Sequence, residues 1–548
     1  MPEIDIDPLK PLHHLVVGAL GYYSMTRPNE TAFKSATDEF PEVTFKEVYD
    51  SILATANYYY NTLQLEKGDV VTISLPNTWH YVPAYIGASC VGAVVSGMNP
   101  RATSLETTYL LKDAKAKVVL TTAENVEKIL GIKEDLPNLK YILYLGDLNN
   151  NITNAGKIRV IDFETVIAGP AEFNPATVPI NTKTDLLSLP YSSGTTGMPK
   201  GVMITHFNFL NQLIILGTHL KDYVLPFFPQ LEKQTRFQFD VQYLPFYHSY
   251  GFTGLIAKLI KGDTTVIMKE FNPDGLLRII DEYKIPQVNL VPGLFDLICS
   301  RRSADYSLAS LKSVACGGAA LTPEQIEKLH ERLPNLCYVL HGYGLTEASG
   351  ASHMNYFKED TPRGAVGQLL SFMKHRIVDP ETQQEVGPEV VGELWIRGPT
   401  IMKGYWGNEE ATKAAFAPDG FLKTGDLAKV DKQGYLYIID RLKEVIKVNA
   451  VQVPPAEIEA LLKQHPKIKD AAVIGVPHKV TGEAPRAYIV KNDDSLTVDE
   501  VNNFTQDKLS KYKQLTGGIE FVDEVLKNQT GKILRHKLKE AYLRRIQT

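Results

Sequence analysis

Cysteine is scarce. Cys90, Cys299, Cys316 and Cys337 are the four in 548 residues, with no CxxC pair and no histidine at metal-ligand spacing. That excludes a disulfide framework and a zinc-type site, and fits a reducing compartment. Positive charge is not in excess: the net charge is -5, which excludes a general nucleic-acid binder. The start, Met1-Pro2-Glu3-Ile4-Asp5, lacks the basic residues and apolar run of a secretory signal, and the end, Arg545-Ile546-Gln547-Thr548, lacks a Ser-Lys-Leu peroxisomal address. The expected compartment is therefore the cytoplasm. No membrane span is expected either. The charge-free run 82–100 is long enough for one, but it contains Pro83, several Gly and Ser, and Asn99, and reads as a buried helix followed by a buried strand.

What is present is the composition of a globular protein, 44% hydrophobic and 22% charged, in a chain too long for one core. Charge is uneven: from Arg441 onward 19 Lys and Arg face 14 Asp and Glu, so a basic tail follows an acidic body. That suits an anionic ligand held between the two parts, or a solvated basic face. Helical and strand-like patterns alternate. Thr44 to Leu65 reads as an amphipathic helix; Val70 to Leu75, Lys117 to Thr121 and Tyr141 to Tyr144 read as buried strands. His206 to Leu220 reads as a helix with Thr205 as N-cap. The fold class is α/β with a largely parallel sheet. Between about 360 and 440 short strands and turn signals mark a β-rich subdomain, and about 100 residues with their own alternation follow, so the expected domains are 1–440 and 441–548.

The chain is organised around Tyr191-Ser192-Ser193-Gly194-Thr195-Thr196-Gly197-Met198-Pro199-Lys200-Gly201. Glycines let backbone amides approach an anion, hydroxyls add donors, and the lysine adds a compact positive charge. It is not a P-loop, which needs Gly-Lys-Ser/Thr opening a helix; here Pro199 precedes Lys200 and Gly201 follows it. Strand-like residues flank the run, so it reads as a loop joining two strands.

Five further segments carry chemical interest. Tyr243 to Phe252 is dense in aromatics around His248, as a core or as a pocket wall for an apolar ligand. Gly317-Gly318-Ala319 follows the strand Ser313 to Cys316 and is either a tight turn or a slot for a flat ring. A strand from Tyr338 to Leu340 opens into Gly342-Tyr343-Gly344-Leu345-Thr346-Glu347, whose carboxylate could hold Mg²⁺ alongside substrate phosphates. Asp426, after Thr424-Gly425 at a strand end, could accept both hydroxyls of a ribose, with Asp440-Arg441 fifteen residues on. Lys532 lies in the polar turn Thr530-Gly531-Lys532.

In this order these segments resemble the adenylate-forming superfamily of acyl-CoA synthetases, 4-coumarate:CoA ligases and beetle luciferases, over nearly the whole chain. The resemblance implies a large N-terminal domain and a small C-terminal lid that rotates between two poses. It implies ATP, Mg²⁺ and coenzyme A as reactants, with a small carboxylic acid, fatty or aryl. Ser192, Ser193, Gly194, Thr195, Thr196, Gly197 and Lys200 would cradle the leaving phosphates, Thr346 would contact the α-phosphate and Glu347 would ligate the metal. Gly318, Ala319, Tyr343 and Gly344 would line the adenine slot; Asp426 and Arg441 would hold the ribose. Lys532 would bridge carboxylate and α-phosphate. His248, Tyr247, Tyr250, Phe252 and Gly317 would wall the acyl side. The lid would swing about Lys443 and present Lys447 to the coenzyme A tunnel. There the chain departs from the family pattern, with Ala450 in place of a glycine and Gly475-Val476-Pro477-His478 in place of a run ending in Asp, which leaves the thioester step less secure than adenylation. The expected enzyme is an AMP-forming carboxylic acid:CoA ligase, monomer or homodimer; the alternatives are a luciferase-type oxygenase and a non-catalytic acyl or nucleotide binder.

Overall fold

The computed structural model describes residues 6–148, 154–192, 198–228, 238–290, 297–317, 323–357, 361–362, 364–380, 382–441, 446–449, 451–453, 455–526, 533 and 535–547. Its largest sheet has eight strands in the order Ile204–Thr205, Leu186–Ser188, Val94–Gly97, Val70–Ser74, Ala116–Thr122, Tyr141–Leu145, Ile158–Asp162 and Asn154–Ala155. Its interior pairs are parallel and its two outermost are antiparallel. Parallel strands are covered on both faces, which is why Val70–Ser74 is buried at every position and why every residue of the helix Tyr81–Cys90 is buried. The run 82–100 is thus the expected helix and strand.

A second sheet of five strands runs Gln287–Leu290, Ser313–Cys316, Tyr338–Leu345, Gly350–Met354 and Gln368–Leu369, parallel in its first three. A third, of four, is Phe239–Gln242, Thr264–Ile267, Thr31–Ser35 and Val43–Thr44. The β-rich part is an antiparallel sheet of Lys374–Val378, Gly392–Arg397, Leu422–Val430 and Leu436–Arg441. The small C-terminal domain has its own sheet, in which Ile468–His478 and Gly482–Lys491 form a long hairpin beside Ile446–Val448, Val451–Val453 and Ile519–Phe521, over a separate apolar cluster. The fold is α/β, a large N-terminal domain with a small C-terminal one.

Two elements differ from expectation. The helix expected over 44–65 is α-helical over Phe45–Asn57, capped by a Thr44/Glu47 capping box, and ends in a π-turn, Tyr58–Thr62, closed by Leu63 N–H donating to the Tyr58 carbonyl at 3.0 Å. One inserted residue of this kind keeps the apolar pattern while shifting its phase. The strand expected to open into a loop after Leu340 continues to Leu345 instead, because Gly342 and Gly344 let the strand Gly350–Met354 pack close enough to pair.

Candidate active site

The run 191–201 joins two strands as expected, Leu186–Ser188 and Ile204–Thr205, and its own ends pair as well, which the sequence did not indicate: Tyr191 with Gly201 and Ser192 with Lys200, antiparallel. Its stem is fastened from outside, since Tyr191 OH donates to Asp113 Oδ2 at 2.7 Å and Tyr109 OH donates to the Pro199 carbonyl at 2.7 Å. Ser193, Gly194, Thr195, Thr196 and Gly197 lie outside the described residues.

From the stem, Ser192 Oγ donates to Glu347 Oε1 at 2.8 Å. The same oxygen accepts from Tyr405 OH at 3.0 Å, and Lys200 Nζ lies 5.0 Å from the centre of the Tyr405 ring. Burial, then the charge of Glu347, pushes the Tyr405 hydroxyl well above its ordinary value, so it stays a donor. No lysine or arginine pairs with Glu347 among the described residues. Tyr405 is a residue that sequence reasoning missed. It reaches Glu347 because its segment pairs with the chain after the hairpin: Trp406 N–H donates to the Gly201 carbonyl at 2.8 Å, and Met203 N–H to the Gly404 carbonyl at 2.9 Å. The available signal was two aromatics between Gly404 and Gly407, ahead of Asn408, which caps the helix Glu409–Ala415.

Thr346 and Glu347 open a 3₁₀ turn, Thr346–Ala348, directly after the strand that carries Tyr343 and Gly344. Tyr343 OH donates to Asp426 Oδ2. Asp426 is buried and lies within the strand Leu422–Val430, not at a strand end as the sequence suggested. The pairing there skips: Trp395 faces Lys423 and Glu393 faces Leu427, so Thr424, Gly425 and Asp426 bulge opposite one residue. Gly425, at φ +73, supplies the left-handed turn the bulge needs, and its N–H donates to Glu393 Oε1 at 3.1 Å. Asp426 pairs with Arg441 across the next strand, which brings the two ribose candidates side by side in the backbone. Gly318, Ala319, Lys443, Ala450 and Lys532 lie outside the described residues.

The aromatic run divides. His248 caps the helix Ser249–Lys261, its Nδ1 accepting from Tyr250 N–H at 3.3 Å, and burial holds its pKa below the ordinary value. Tyr247, His248 and Phe252 line a small cleft, with Thr346 and Ser349 also on its wall. Phe252 stacks on Tyr85 at 3.9 Å between ring centres. Tyr250, two residues after the cap, points away and lies against Gly317. Helical geometry, absent from a linear string, separates Tyr250 from its neighbours.

The C-terminal domain docks beside this cleft. Lys513 Nζ lies 2.8 Å from both Glu106 Oε1 and Glu457 Oε1, and Ser510 Oγ donates to Glu106 Oε2 at 2.5 Å. Thr103 Oγ1 donates to the Lys508 carbonyl at 3.1 Å. Burial raises the Glu106 carboxyl, but the Lys513 charge and the hydrogen bonds outweigh it and hold Glu106 below its usual range. Glu457 is pushed up by burial; among the described residues Lys513 is its one donor and Oε2 has none. Lys447 lies on Ile446–Val448, its N–H donating to Glu483 Oε2 at 2.9 Å; Gly475 to His478 end the strand Ile468–His478. Among the described residues no helix is long and apolar enough to cross a membrane.

Residues 23–406 match the family described as AMP-binding enzyme, and residues 457–532 match the C-terminal domain of AMP-binding enzymes. The chain belongs to the AMP-binding enzyme family. It is 32% identical over 547 residues to acyl-CoA synthetase 7 of Caenorhabditis elegans, covering 97% of this chain and 96% of that one. It is 35% identical over 507 residues to peroxisomal OPC-8:0-CoA ligase 1 of Arabidopsis thaliana, covering 90% and 88%. Among solved structures it superimposes on ATP-bound MatB from Rhodopseudomonas palustris with a TM-score of 0.67 at 26% identity, covering 97% and 99%. With o-succinylbenzoate CoA synthetase from Bacillus subtilis, bound to a product analogue, the TM-score is 0.79 at 24% identity, covering 97% and 98%, a likeness of fold.

Proposed function

We infer that this chain is an ATP-dependent, AMP-forming carboxylic acid:CoA ligase whose acid is largely apolar. The observation that carries the reading is the cluster at Glu347. A carboxylate held by the hydroxyls of Ser192 and Tyr405, with no cationic partner among the described residues, lies at the stem of a glycine- and hydroxyl-rich hairpin next to Lys200. A lone carboxylate beside a phosphate-binding loop suits Mg²⁺, which takes one or two protein oxygens and fills its remaining positions with water and phosphate. When bound, the ion would neutralise charge on the phosphates.

In the first half-reaction an oxygen of the acid's carboxylate attacks the α-phosphorus of ATP and pyrophosphate leaves. Two anions must meet, so the protein's task is charge neutralisation and in-line placement. Ser192 to Lys200 hold the departing phosphates, Thr346 holds the α-phosphate, and Tyr343 and Gly344 with Gly318 and Ala319 receive the adenine. Asp426 and Arg441 receive the ribose, and Lys532 places its ammonium between the carboxylate and the α-phosphate. In the second half-reaction the coenzyme A sulfur attacks the acyl carbonyl and AMP leaves. For this the C-terminal domain turns about Lys443 and brings up Lys447 and Ala450. The domain boundary falls at 440/441. His248, which caps its helix and lines the aromatic cleft, orients the acyl carboxylate.

The test is to incubate the protein with ATP, Mg²⁺, coenzyme A and a panel of acids and to follow acyl-AMP and acyl-CoA by mass spectrometry. Both should appear, and Lys532→Ala should cut ATP–pyrophosphate exchange by at least about 10²-fold. Exchange near the wild-type rate in that variant would refute the assignment. Acyl-AMP without acyl-CoA would confine the activity to adenylation.

A further inference from the structure

The second sheet and the β-rich sheet are tied together by two pairs of side chains that stand next to each other. On the second sheet Tyr343 and His353 are opposite one another across the antiparallel strands Tyr338–Leu345 and Gly350–Met354, so their side chains share one face. Their rings meet edge to face, 6.1 Å between centres. Each then reaches across to the β-rich sheet: Tyr343 OH donates to Asp426 Oδ2 on Leu422–Val430, and His353 Nε2 lies 2.8 Å from His375 Nδ1 on Lys374–Val378. The first bridge joins residues of the nucleotide site. The second ties the same two sheets with rings that the reaction steps above leave unused.

His353 is fully buried and His375 half-buried. Burial, reinforced by the neighbouring His375, holds the His353 pKa well below its ordinary value, and burial lowers that of His375 although the charge of Glu385 opposes it. Both rings are therefore neutral at pH 7. A neutral imidazole carries one N–H and one bare nitrogen, so two of them can meet as donor and acceptor. Ser352 Oγ, 3.0 Å from His353 Nδ1, gives the other nitrogen of the buried ring its partner, and the two rings lie nearly parallel, 17° apart. An apolar side chain would fill such a space without the cost of burying polar atoms. What it would lack is direction. A fully satisfied buried network holds its members in one arrangement, and this one spans the boundary between the sheet of Tyr343 and the sheet of Asp426.

We propose that His353 and His375 are positioning residues for the nucleotide: their bond sets the spacing between the Tyr343 ring, at the adenine, and the Asp426 carboxylate, at the ribose. A carboxylate accepts both ribose hydroxyls only when it stands at one distance from the base, and that distance here depends on how the two sheets sit against each other. The Tyr343–Asp426 bond cannot hold it alone, because the arriving ribose competes for the same carboxylate oxygens. The histidine bridge touches neither base nor sugar and stays closed while the first bridge is remade. The inference rests on the placement of adenine and ribose in the ligase reading above and adds two residues to it.

The test is calorimetric binding of ATP and of 2′-deoxy-ATP, each with Mg²⁺, to the full-length protein, which needs no knowledge of the acid. The wild type should bind ATP at least about tenfold more tightly, since a missing 2′-hydroxyl leaves Asp426 short of a donor. In the double variant His353→Leu with His375→Leu both partners become apolar together, a change that costs little stability. It should melt close to the wild type, yet bind ATP about tenfold more weakly and prefer it over 2′-deoxy-ATP by about threefold or less. His375→Asn, whose amide stands where Nδ1 stood, should keep the wild-type preference. An unchanged preference in the double variant would overturn the proposal, and so would a preference that falls only together with the melting temperature and falls equally in His375→Asn. If the double variant does not fold, His375→Leu compared with His375→Asn decides, because both leave the buried ring of His353 in place. Wild-type binding of ATP with no preference for the 2′-hydroxyl would overturn the proposal together with the ribose placement at Asp426. No binding of ATP at all would overturn the ligase reading itself.

Discussion

Two of the buried charge clusters among the described residues are built differently. In the large domain, Lys258 pairs with Asp240 at 3.2 Å, Lys261 with Asp263 at 3.1 Å, and each carboxylate has a further donor, Gln242 for Asp240 and the Gln238 N–H for Asp263. All of these residues fall between 238 and 263, on the helix Ser249–Lys261, on the strand Phe239–Gln242, or just ahead of that strand and of Thr264–Ile267. At the seam between domains, Lys513 serves Glu106 and Glu457 alone, across 407 residues of sequence from Glu106. The first cluster never has to separate. The second would, if the C-terminal domain turns as proposed, and its composition suits that. Glu106 keeps the Thr103 N–H at 2.8 Å and the Thr103 hydroxyl at 3.2 Å as partners on its own side, and Lys513 keeps Glu457 on the other. Parting therefore strands no charge.

The comparison is broken most severely by removing the lysine from the fixed cluster. Lys258→Met leaves the buried carboxylate of Asp240 without its cation, and the expected loss is about 3–5 kcal/mol of global stability, read as a lower urea midpoint with an unchanged slope. Lys513→Met should cost less, about 1–2 kcal/mol, because the seam can open to water instead of enduring the unpaired charge. Its signature is faster hydrogen exchange across 99–109 and 508–513, with a changed ratio of acyl-CoA to acyl-AMP. A global loss as large as that of Lys258→Met would erase the distinction between the clusters.

Acid sharpens it further. Burial holds His206 at about 3, His219 and His341 at about 4, and His13 well below its ordinary value, and all four lie in the large domain. The native state thus binds fewer protons than the unfolded chain between pH 6.5 and those values, so stability falls as pH drops through 6.5. Thermal unfolding between pH 7 and 5 should show the large domain losing up to about 1.4 kcal/mol per pH unit for each such histidine, and His206→Gln should remove one of these contributions. The seam should respond little, since Glu106 is held below the usual carboxylate range and loses its contribution as pH falls through that lower value. The smallest effect belongs to Ser510→Ala, which removes one of several donors to Glu106; about 0.5–1 kcal/mol of docking is expected, measurable as exchange at the seam with no change in the urea midpoint.

Much of the layout was legible because it is local. Thr205 caps the helix His206–His219 as expected, with Asn208 completing a capping box, and the charge-free run 82–100 resolves into its helix and strand. The two strands that the run 191–201 joins were legible for the same reason. What escaped depends on neighbours distant in sequence. Asp426 belongs to a bulge that exists only against Gly392–Arg397. Tyr405 meets Glu347 only because 404–406 pairs with 201–203. Glu106 completes the capping box of the helix Ser104–Asp113, and its second role needs Ser510 and Lys513, four hundred positions away. Tyr250, expected on the cleft wall beside His248, turns from it because both open a helix.

The ten-residue helix Ser104–Asp113 touches more than the seam. Its first turn holds Glu106; from its middle Tyr109 grips Pro199, and at its end Asp113 takes Tyr191 through the carboxylate and Trp406 through the carbonyl, at 3.2 Å. A rod about 15 Å long thus has the C-terminal domain on one tip and the stem of the hairpin 191–201 on the other, so in the proposed ligase cycle a turn of that domain would be passed on, as through a lever, to the place where pyrophosphate would leave.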